Sequence, residues 1–420
     1  MSVYSADRSS ERRLADDLAS EAVLVDPYPW YEEAREIDGA IETAAGFVVT
    51  RTEHVIAVLR DTKRFSSRMG ARTGTQWGDQ PTDEMKAIMA SGFPEVSTLT
   101  TNDPPSHHHF KSLASRAFSP SVVRSLERSI TQTASTLIDQ FCDAGAVDLV
   151  SQFAIPFPLL VIADALGIPQ DRLDDYKRWT DSSVRPLTEG LTPEDRAECM
   201  RGRVEAQRFM MNEIQRRRVQ PGGDLISSLV TAEEEGRRLE DLEVLSITLS
   251  ILVAGNESSR NTLANGMSIL ASNPALQERL RQDPDLVTPF VEDLLRVESP
   301  VQFVNRRTTE DVQLGSTRIP EGSRVLVGVA AVNRDPGRCP HAEMIDVDRV
   351  DVGRHLAFGQ GIHFCLGAPL SRAEFNIGFR QLLSRLVNIR VDNSRPPARR
   401  VPHLTLRGLH ELYLRFEPAG

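Results

Sequence analysis

The chain has 420 residues, of which 49 are basic and 59 acidic, so its net charge is −10 with histidine neutral. This acidic balance argues against a nucleic-acid partner, which requires a basic surface. The chain contains no run of about 18 apolar residues, so no membrane span is predicted. Four cysteines without a CxxC pair are typical of a reducing compartment. We therefore expect a cytoplasmic protein that binds neither nucleic acid nor membrane.

The predicted domain organisation is simple. Length alone favours about two or three domains, but Pro and Gly are spread throughout, and no long linker or internal repeat divides the chain. We expect a single domain over residues 1–420 that is a monomer. Because its N-terminus is polar and charged, residues 1–25 are predicted to form a loosely ordered arm.

The first half of the chain is predicted to be mainly helical. A short helix starts at Asp26-Pro27, where proline fixes the entry. The patterns that follow predict a strand at 47–51 and a helix from about 52 to 59. Residues 66–101 lose periodicity, and an irregular stretch of this length in a compact domain is usually functional. Helical periodicity then dominates from 119 to 216.

The longest helical pattern covers residues 241–272, with apolar residues three or four apart or at multiples of these steps. A helix of about 30 residues spans roughly 45 Å, enough to cross the molecule. Strand patterns follow at 325–329, 404–406 and 412–416. The fold class is therefore predicted as mainly α with a minor β portion.

One cysteine lies in a glycine-rich loop that runs into a helical pattern: Phe358-Gly359-Gln360-Gly361-Ile362-His363-Phe364-Cys365-Leu366-Gly367. Gly359 and Gly361 allow positive φ angles, so backbone amides can surround the sulfur. These donors and the following helix N-terminus are expected to lower the thiol pKa, and Phe358 and Phe364 to exclude water. The pattern favours a metal-bound thiolate at Cys365. The alternative is a buried, inert cysteine.

The long helix has a polar interruption at its centre, Ala254-Gly255-Asn256-Glu257-Ser258-Ser259. Glycine inside a helix costs about 1 kcal/mol relative to alanine, so Gly255 needs a reason, and a flat ligand packed on the backbone would supply one. A serine hydroxyl there can bond to the carbonyl four residues earlier. The segment predicts a groove across the helix, with a solvated helix kink as the alternative.

The cysteine loop resembles the haem-binding loop of the cytochrome P450 monooxygenases. In that family an aromatic residue, two alternate glycines, a cysteine and a glycine two positions later hold the iron. The resemblance implies that Cys365 is the axial ligand of haem b and that the loop residues around it also contact the cofactor, namely Phe358, Gly359, Gly361 and Gly367. Haem iron held by a cysteine thiolate favours O–O bond cleavage.

The resemblance follows the family's order from about Asp26 to Phe416, so it covers nearly the whole chain. It implies the cytochrome P450 fold, a triangular helical prism with the haem between the long central helix and the helix after the cysteine loop. Since no membrane anchor is predicted, the chain is similar to the soluble bacterial members of the family.

Further haem contacts follow from the resemblance. The segment over the iron corresponds to Ala254 and Gly255, followed by the acid–alcohol pair Glu257 and Ser258, which would bring protons into a dry site. Serine stands where the family usually has threonine, which removes a methyl group that would restrict the rotamer. Four converging cations are implied at the haem propionates: His107, Lys111 in place of the usual arginine, Arg306, with Arg307 as a competitor, and His363.

Three consecutive histidines, His107 to His109, raise the alternative of a metal site, but consecutive helical residues point in different directions and cannot all bind one ion. A structural network is implied elsewhere. Asp293 takes the place of the family's glutamate and is expected to pair with Arg296 and Arg349, with Glu292 as a rival to Asp293.

These features imply a haem-thiolate monooxygenase that activates dioxygen and oxidises, most often by hydroxylation, an apolar small molecule. No flavin or iron–sulfur motif was found, so electrons are expected from NAD(P)H through an external ferredoxin and ferredoxin reductase. The expected substrate is a terpenoid, steroid, fatty acid or polyketide-type metabolite, contacted by residues of four segments: Met89, Phe93, Val96, Leu249, Ser250, Val301, Val304 and Leu404.

Two alternatives keep the haem but change the activity. One is a non-catalytic haem sensor or carrier, which would have no need of the Glu257–Ser258 pair. The other is an atypical enzyme that performs coupling, dehydration or peroxide-driven oxidation, which the serine at position 258 makes worth considering.

Overall fold

Helices dominate the computed structural model, which describes residues 3–68, 81–187 and 191–419. In these ranges the α-helices are α1 Val3–Asp17, α2 Glu21–Val25, α3 Tyr28–Ala34, α4 Thr52–Arg60, α5 Asp83–Ala90, α6 Ser106–Ala117, α7 Pro120–Asp139, α8 Pro156–Leu166, α9 Leu173–Val184, α10 Pro193–Val219, α11 Leu225–Thr231, α12 Asp241–Ala271, α13 Pro274–Gln282, α14 Val287–Val297, α15 Val329–Asn333 and α16 Ala368–Arg385.

The strands are short: β1 Ile41–Thr43, β2 Gly46–Val49, β3 Phe65–Ser66, β4 Ala146–Asp148, β5 Glu233–Glu234, β6 Arg237–Arg238, β7 Phe303–Thr308, β8 Val312–Leu314, β9 Thr317–Ile319, β10 Arg324–Gly328, β11 Leu386–Val391 and β12 Tyr413–Pro418. The larger described sheet has the order β1-β2-β10-β7-β3, in which β10 runs parallel to β2 and antiparallel to β7. A second sheet has the order β11-β12-β4. The mainly helical class with a minor β portion is confirmed.

Several helices begin where the sequence supplies capping groups. At the start of α10, Thr192 Oγ1 accepts a hydrogen bond from the Asp195 amide at 3.1 Å, and the Asp195 carboxylate accepts one from the Thr192 amide at 3.0 Å. This reciprocal capping satisfies two of the free amides of a helix N-terminus. At α12, the Glu243 carboxylate accepts a hydrogen bond from the Glu240 amide at 2.9 Å.

The N-terminal segment differs from its prediction as a loosely ordered arm. Residues 3–17 and 21–25 are helical, and Leu14 and Leu18 are buried. Trp30 Nε1 donates a hydrogen bond to the Leu14 carbonyl at 3.0 Å. The segment is anchored because its few apolar residues fall on one side of a helix, where they meet the aromatic residues of α3.

Two other sequence predictions need correction. The irregular stretch 66–101 contains helix α5, whose N-cap is Thr82, while its residues 69–80 lie outside the described residues. Residues 404–406 form no strand, and only Leu406 makes an isolated bridge, to Val301. The strands predicted at 47–51, 325–329 and 412–416 correspond to β2, β10 and β12.

Helix α12 crosses the main hydrophobic core and packs against α8, α10 and α16. Small residues permit close helix approach: a Cβ atom at Gly266 would lie 2.4 Å from the ring of Phe379 on α16. None of the described helices is both long enough and apolar enough to cross a bilayer. The fold therefore holds α12 and α16, the two helices expected on either side of the cofactor, firmly against each other.

Candidate active site

The loop around Cys365 has the geometry predicted from its glycines. Gly359 and Gly361 adopt φ angles of +72° and +74°, conformations that residues with a Cβ atom rarely adopt. The Cys365 amide donates to the Phe358 carbonyl at 2.8 Å, which closes the loop, and α16 begins three residues after the cysteine. The sulfur therefore sits at the N-terminal end of a long helix.

The pKa of the Cys365 thiol is raised, which differs from the expectation. Burial is the largest cause, and it outweighs the lowering by the backbone amides of Gly367 and Ala368 and by the Lys111 ammonium. The amides are placed as predicted, but the sequence could not indicate how the surrounding chain buries the sulfur. A cation bound at the sulfur would be needed to keep it ionised at neutral pH.

A buried hydrogen bond joins the helix after the cysteine to the polar centre of α12. Ser259 Oγ donates to Glu374 Oε2 at 2.9 Å, and both residues are buried. Ser258 is the neighbour of Ser259, and Glu374 lies on the second turn of α16. The cysteine loop and the acid–alcohol segment are thus held by directly connected helices.

Three residues of α12 spaced by four, Ser250, Ala254 and Ser258, form a stripe that is half-buried or exposed, although the helix is otherwise largely buried. Residues four apart lie on the same helix face. Ser258 Oγ donates to the Ala254 carbonyl at 2.9 Å, the bond predicted for a mid-helix serine. Ala254 is the one exposed residue among the described residues of α12, and we name these three residues the uncovered stripe.

Glu257 is largely buried beside the stripe. Burial raises the pKa of its carboxyl group, although Arg260, whose Nη1 lies 3.4 Å from Glu257 Oε2, acts in the opposite direction. A raised pKa favours the protonated form of a carboxyl group, which is the form that an acid needs for proton delivery. The proton-delivering role predicted for Glu257 and Ser258 stays a prediction.

Gly255 has a different neighbour from the one predicted. A Cβ atom at this position would lie 2.7 Å from Cδ1 of Ile162 on α8. The glycine therefore permits close packing of α8 on α12, and the expectation that it makes room for a flat ligand is wrong. Ala254, next in the chain, lies on the uncovered stripe instead.

The four predicted propionate partners lie around the cysteine loop. The rings of His107 and His363 are in edge contact, with centroids 4.4 Å apart, and Lys111 Nζ donates to the Phe364 carbonyl at 2.5 Å. Arg306 is buried on β7 and acts electrostatically on His363. Arg307 is exposed and donates to the Gly322 carbonyl at 3.1 Å, so the structure favours Arg306.

Not all four partners are cations. Burial lowers the pKa of His107 to about 4 and that of His363 to about 3, and nearby positive groups contribute to both shifts. At neutral pH both imidazoles are therefore uncharged. Of the four residues, only Lys111 and Arg306 could then supply positive charge. Four cations were expected because this burial and mutual crowding do not follow from the sequence.

Two buried polar atoms of this group show that the residues suit a haem. Among the described residues, His107 Nδ1 and Arg306 Nε have no hydrogen-bond partner. Buried polar atoms are normally paired, and carboxylates on a haem have the matching chemistry. No group of three His, Cys, Asp or Glu residues in the described ranges could hold a free metal ion, which argues against the three-histidine alternative.

The predicted substrate contacts divide into two sets. Phe93 and Leu249 pack partly against the main core, and Val96, Ser250, Val301 and Val304 are half-buried. Met89 is 37% exposed on α5, and Leu404 packs against the cluster of N-terminal helices. This packing supports Met89 and Leu404 less well than the other residues as substrate contacts.

An ion-pair cluster beside the Phe358 ring was not predicted from the sequence. The Arg372 guanidinium lies 4.6 Å from the centroid of the Phe358 ring and donates to both oxygens of Glu292, at 2.6 and 2.8 Å. His355 Nε2 lies 3.2 Å from the same carboxylate. Glu292, considered as a rival to Asp293, thus has its own partner. No local pattern in the sequence indicated this pairing.

Glu374 is the second missed residue. Burial raises the pKa of its carboxyl group to about 8, with the Ser259 hydroxyl acting weakly in the opposite direction. Its Oε1 atom has no partner among the described residues. Because the folded pKa exceeds the unfolded value, the folded protein binds more protons between these two values, and stability falls as pH rises through that window.

We expect Glu374→Gln to remove this pH dependence. Between the usual glutamate pKa and about 8, the unfolding free energy of the variant should rise relative to that of the wild type by about 1.4 kcal/mol for each pH unit. Urea unfolding at several pH values measures it. Glu127→Gln, at an exposed position on α7, is the matched control. Parallel pH profiles for Glu374→Gln and wild type would contradict a buried, proton-binding Glu374.

Comparisons with known proteins agree with this geometry. The family model described as Cytochrome P450 matches residues 184–400. The chain is 33% identical over 416 residues to 6-deoxyerythronolide B hydroxylase of Saccharopolyspora erythraea, covering 96% of this chain and 98% of that protein. It is 35% identical over 400 residues to cytochrome P450 monooxygenase PikC of Streptomyces venezuelae, covering 93% and 91%.

A solved structure extends the likeness to the whole fold. CYP109E1 from Bacillus megaterium in complex with corticosterone superimposes with a TM-score of 0.81 at 30% identity, covering 93% of this chain and 98% of that chain. The predicted P450 fold is thereby confirmed. The chain belongs to the cytochrome P450 family and is a P450 oxidoreductase.

Proposed function

We propose that the protein is a haem-thiolate monooxygenase that oxidises an apolar small molecule, with Cys365 as the axial ligand of haem b. The observation that carries this proposal is the position of Cys365. It lies in a loop closed by two glycines at positive φ, and the helix that follows is bonded through Glu374 to the segment that carries Glu257 and Ser258. Haem bound at a cysteine thiolate supplies the chemistry of O–O bond cleavage.

The chain's own residues would hold this cofactor. Lys111 and Arg306 would pair with its carboxylates, and the neutral imidazoles of His107 and His363 would donate hydrogen bonds to them. Phe358, Gly359, Gly361 and Gly367 would contact the cysteine side of the ring, and Ala254 the opposite side. Lysine lacks the two-pronged geometry of arginine, so we expect its carboxylate contact to be the weaker one.

Glu257 and Ser258 would move protons into the site. Burial raises the pKa of the Glu257 carboxyl group, which favours its protonated form, and Ser258 Oγ, bonded to the Ala254 carbonyl, presents a hydroxyl on the uncovered stripe of α12. Without the threonine methyl group, the serine hydroxyl can change rotamer more freely. This freedom favours some loss of coupling between oxygen consumption and product formation.

We expect the double variant Glu257→Gln, Ser258→Ala to lose product formation by roughly 100-fold or more, because general acid catalysis contributes about that much. Cofactor content and the visible spectrum should stay unchanged. Product per NAD(P)H consumed, measured by chromatography, gives the result. Ser268→Ala, at a half-buried position on the same helix but away from the stripe, is the comparison. Unchanged product formation would instead favour the peroxide-driven alternative, which hydrogen peroxide in place of NAD(P)H tests directly.

Electrons would come from NAD(P)H through an external ferredoxin and its reductase. The face around the cysteine loop carries Phe364, which is 43% exposed. Phe364 is adjacent to Cys365, so a partner bound there would lie a short distance from the sulfur.

The substrate class follows from the walls and from the relatives. Phe93, Val96, Leu249, Val301 and Val304 offer mainly apolar surface, which suits an apolar ligand. One relative is named for hydroxylation of 6-deoxyerythronolide B, and another was solved with corticosterone. We propose a bulky apolar polyketide or steroid-like molecule as the substrate.

The purified holoprotein tests this proposal. Its reduced carbonyl complex should show the red-shifted Soret band of thiolate ligation, and turnover with a surrogate ferredoxin, reductase and NADPH should add one oxygen atom from dioxygen to a polyketide or steroid probe. A carbonyl complex without this band contradicts the thiolate. The band without turnover of any apolar probe would favour the sensor or carrier alternative.

A further inference from the structure

One side chain of α10, that of Gln207, bonds both the backbone amide and the backbone carbonyl of Phe93, and we call this kind of backbone contact a grip. The Phe93 amide donates to Gln207 Oε1 at 2.9 Å, and Gln207 Nε2 donates back to the Phe93 carbonyl at 3.3 Å. Gln207 is buried, with 9% exposure. A side-chain amide bonded to both polar groups of one residue fixes its backbone, as a neighbouring strand would.

The preceding residue shows how closely this grip is built. A Cβ atom at Gly92 would lie 2.4 Å from Gln207 Oε1 and 2.9 Å from Cγ2 of Val204. Any side chain at position 92 would push the Gln207 amide off the Phe93 peptide. Gly92 and Gln207 together therefore allow the chain to pack against α10 immediately before Phe93.

A second grip lies on α12. Ser246 Oγ donates to the Val96 carbonyl at 2.7 Å and lies 3.2 Å from Thr98 Oγ1. Thr98 is buried, whereas Pro94, Glu95 and Ser97 are exposed. Residues 93–98, which we name the 93–98 strap, are thus fixed near both ends and exposed between them.

The second grip belongs to the uncovered stripe of α12. Ser246 is four residues before Ser250 and eight before Ala254, so it continues the stripe along the same face. Eight residues of helix correspond to about 12 Å. The strap therefore contacts α12 about 12 Å from Ala254, the point where the cofactor would face the helix.

We propose that Gln207 and Ser246 are positioning residues that hold the 93–98 strap as a wall of the substrate pocket, and so determine which long or bulky ligands the pocket retains. This inference rests on the proposed function, because the pocket is defined by the cofactor. Phe93 and Val96 would make the contacts, and the two polar residues would fix their backbone. Neither Gln207 nor Ser246 would act on the reacting atoms.

Exposed contacts nearby provide matched controls. Arg208 Nη2 donates to the Ser91 carbonyl at 2.7 Å, and Arg203 pairs with Glu95, in both cases at the surface. Exposed ion pairs and hydrogen bonds contribute little to order. Arg208→Met should therefore leave the strap unchanged, although it removes a contact to the same part of the chain.

The test compares the variants Gln207→Met and Ser246→Ala with Arg208→Met in the haem-loaded protein. Hydrogen–deuterium exchange of peptides covering 91–99 should become about tenfold faster in the first two variants, because buried hydrogen bonds are lost. Binding is followed by the Soret shift with two probes that ligate the iron through nitrogen, imidazole and 1-dodecylimidazole. The long-chain probe should bind about fivefold or more weakly to both strap variants, and imidazole should bind as in wild type.

Each other result has a definite meaning. Unchanged exchange at 91–99, or equal weakening of both probes, would overturn the positioning role. The same long-chain effect in Arg208→Met would overturn the assignment to the buried grips. Absence of any Soret shift with imidazole in the wild type would instead count against the haem-thiolate proposal, since imidazole needs only the iron. Gln207→Met and Ser246→Ala lie on different helices, so a folding defect in one leaves the other as the test.

Discussion

The Cys365→Ala variant is expected to lose the red-shifted Soret band of the reduced carbonyl complex completely and to lose turnover by about 1000-fold or more. The sulfur is the electron-donating ligand that favours O–O cleavage, and alanine offers no ligand atom. Retention of the loop itself is expected, since Gly359 and Gly361 keep their positive φ angles and the amide of residue 365 still bonds the Phe358 carbonyl. Carbon monoxide difference spectra and haem content measure the effect.

Cys339→Ala is the matched control for this prediction. Cys339 is partly exposed, as Cys365 is, but it lies outside the glycine loop. Its replacement should leave the spectrum and the turnover unchanged. If Cys365→Ala retained the red-shifted band, or if Cys339→Ala lost it, the assignment of the axial ligand would be wrong.

Replacing Asp293 by Asn is expected to lower the free energy of unfolding by about 3–5 kcal/mol. Asp293 is fully buried, and its carboxylate accepts hydrogen bonds from Arg296 Nε at 2.6 Å and from Arg296 Nη2 at 3.2 Å. It also accepts one from the Asp346 amide at 2.7 Å, and Arg349 Nε lies 3.4 Å away. Asparagine keeps the shape but leaves two guanidinium groups without a buried counter-charge.

The measurement is urea unfolding, with Asp348→Asn as the control. Asp348 pairs with Arg279 at 2.9 Å, but both side chains are at least half exposed, so its loss should cost no more than about 1 kcal/mol. The fraction of the Asp293→Asn protein that still binds haem should keep the thiolate spectrum, because this network stabilises the fold and does not touch the sulfur. Equal losses in the two variants, or an altered spectrum in folded Asp293→Asn protein, would contradict the structural role.

The pairing of Asp293 with Arg296 agrees with the helix repeat, whereas the third member, Arg349, was implied by the resemblance to the P450 family. Asp293 and Arg296 are three residues apart on α14, and residues at that spacing meet on any helix. The partner of Glu292 was not predictable in the same way. It pairs with Arg372 on α16 and with His355, and nothing local in the sequence indicates that these three residues converge.

The strap shows the same limit more sharply. Residues 66–101 have no periodicity, so the sequence indicated only that the segment is irregular and could line a pocket. The structure places helix α5 within it and bonds Phe93 to Gln207, more than a hundred residues away. Such a contact depends on how α10 crosses the loop, which no pattern within either segment reports.

The pKa shifts of the site residues also could not be predicted from the sequence. The residue types at positions 107, 363 and 365 indicated their chemistry, but their pKa shifts depend on burial. Burial makes the two imidazoles neutral and raises the pKa of the Cys365 thiol, opposite to the effect of the amides that surround it. Depth of burial is a property of the packed chain, since it is set by every element that covers a residue.

The acid–alcohol pair and the Asp293 network were implied by the resemblance to the P450 family. The features predicted from the residues alone are local: the glycine-built loop around Cys365, the long central helix and the mainly helical class. Each depends on neighbouring residues or on the repeat of a single helix. The packed structure was needed to show why Gly255 is a glycine, that Glu374 bonds Ser259, that the histidines are uncharged and that Gln207 and Ser246 bond the strap. The physical reason is that these features arise between segments distant in sequence, where close packing and loss of water set both contact and charge.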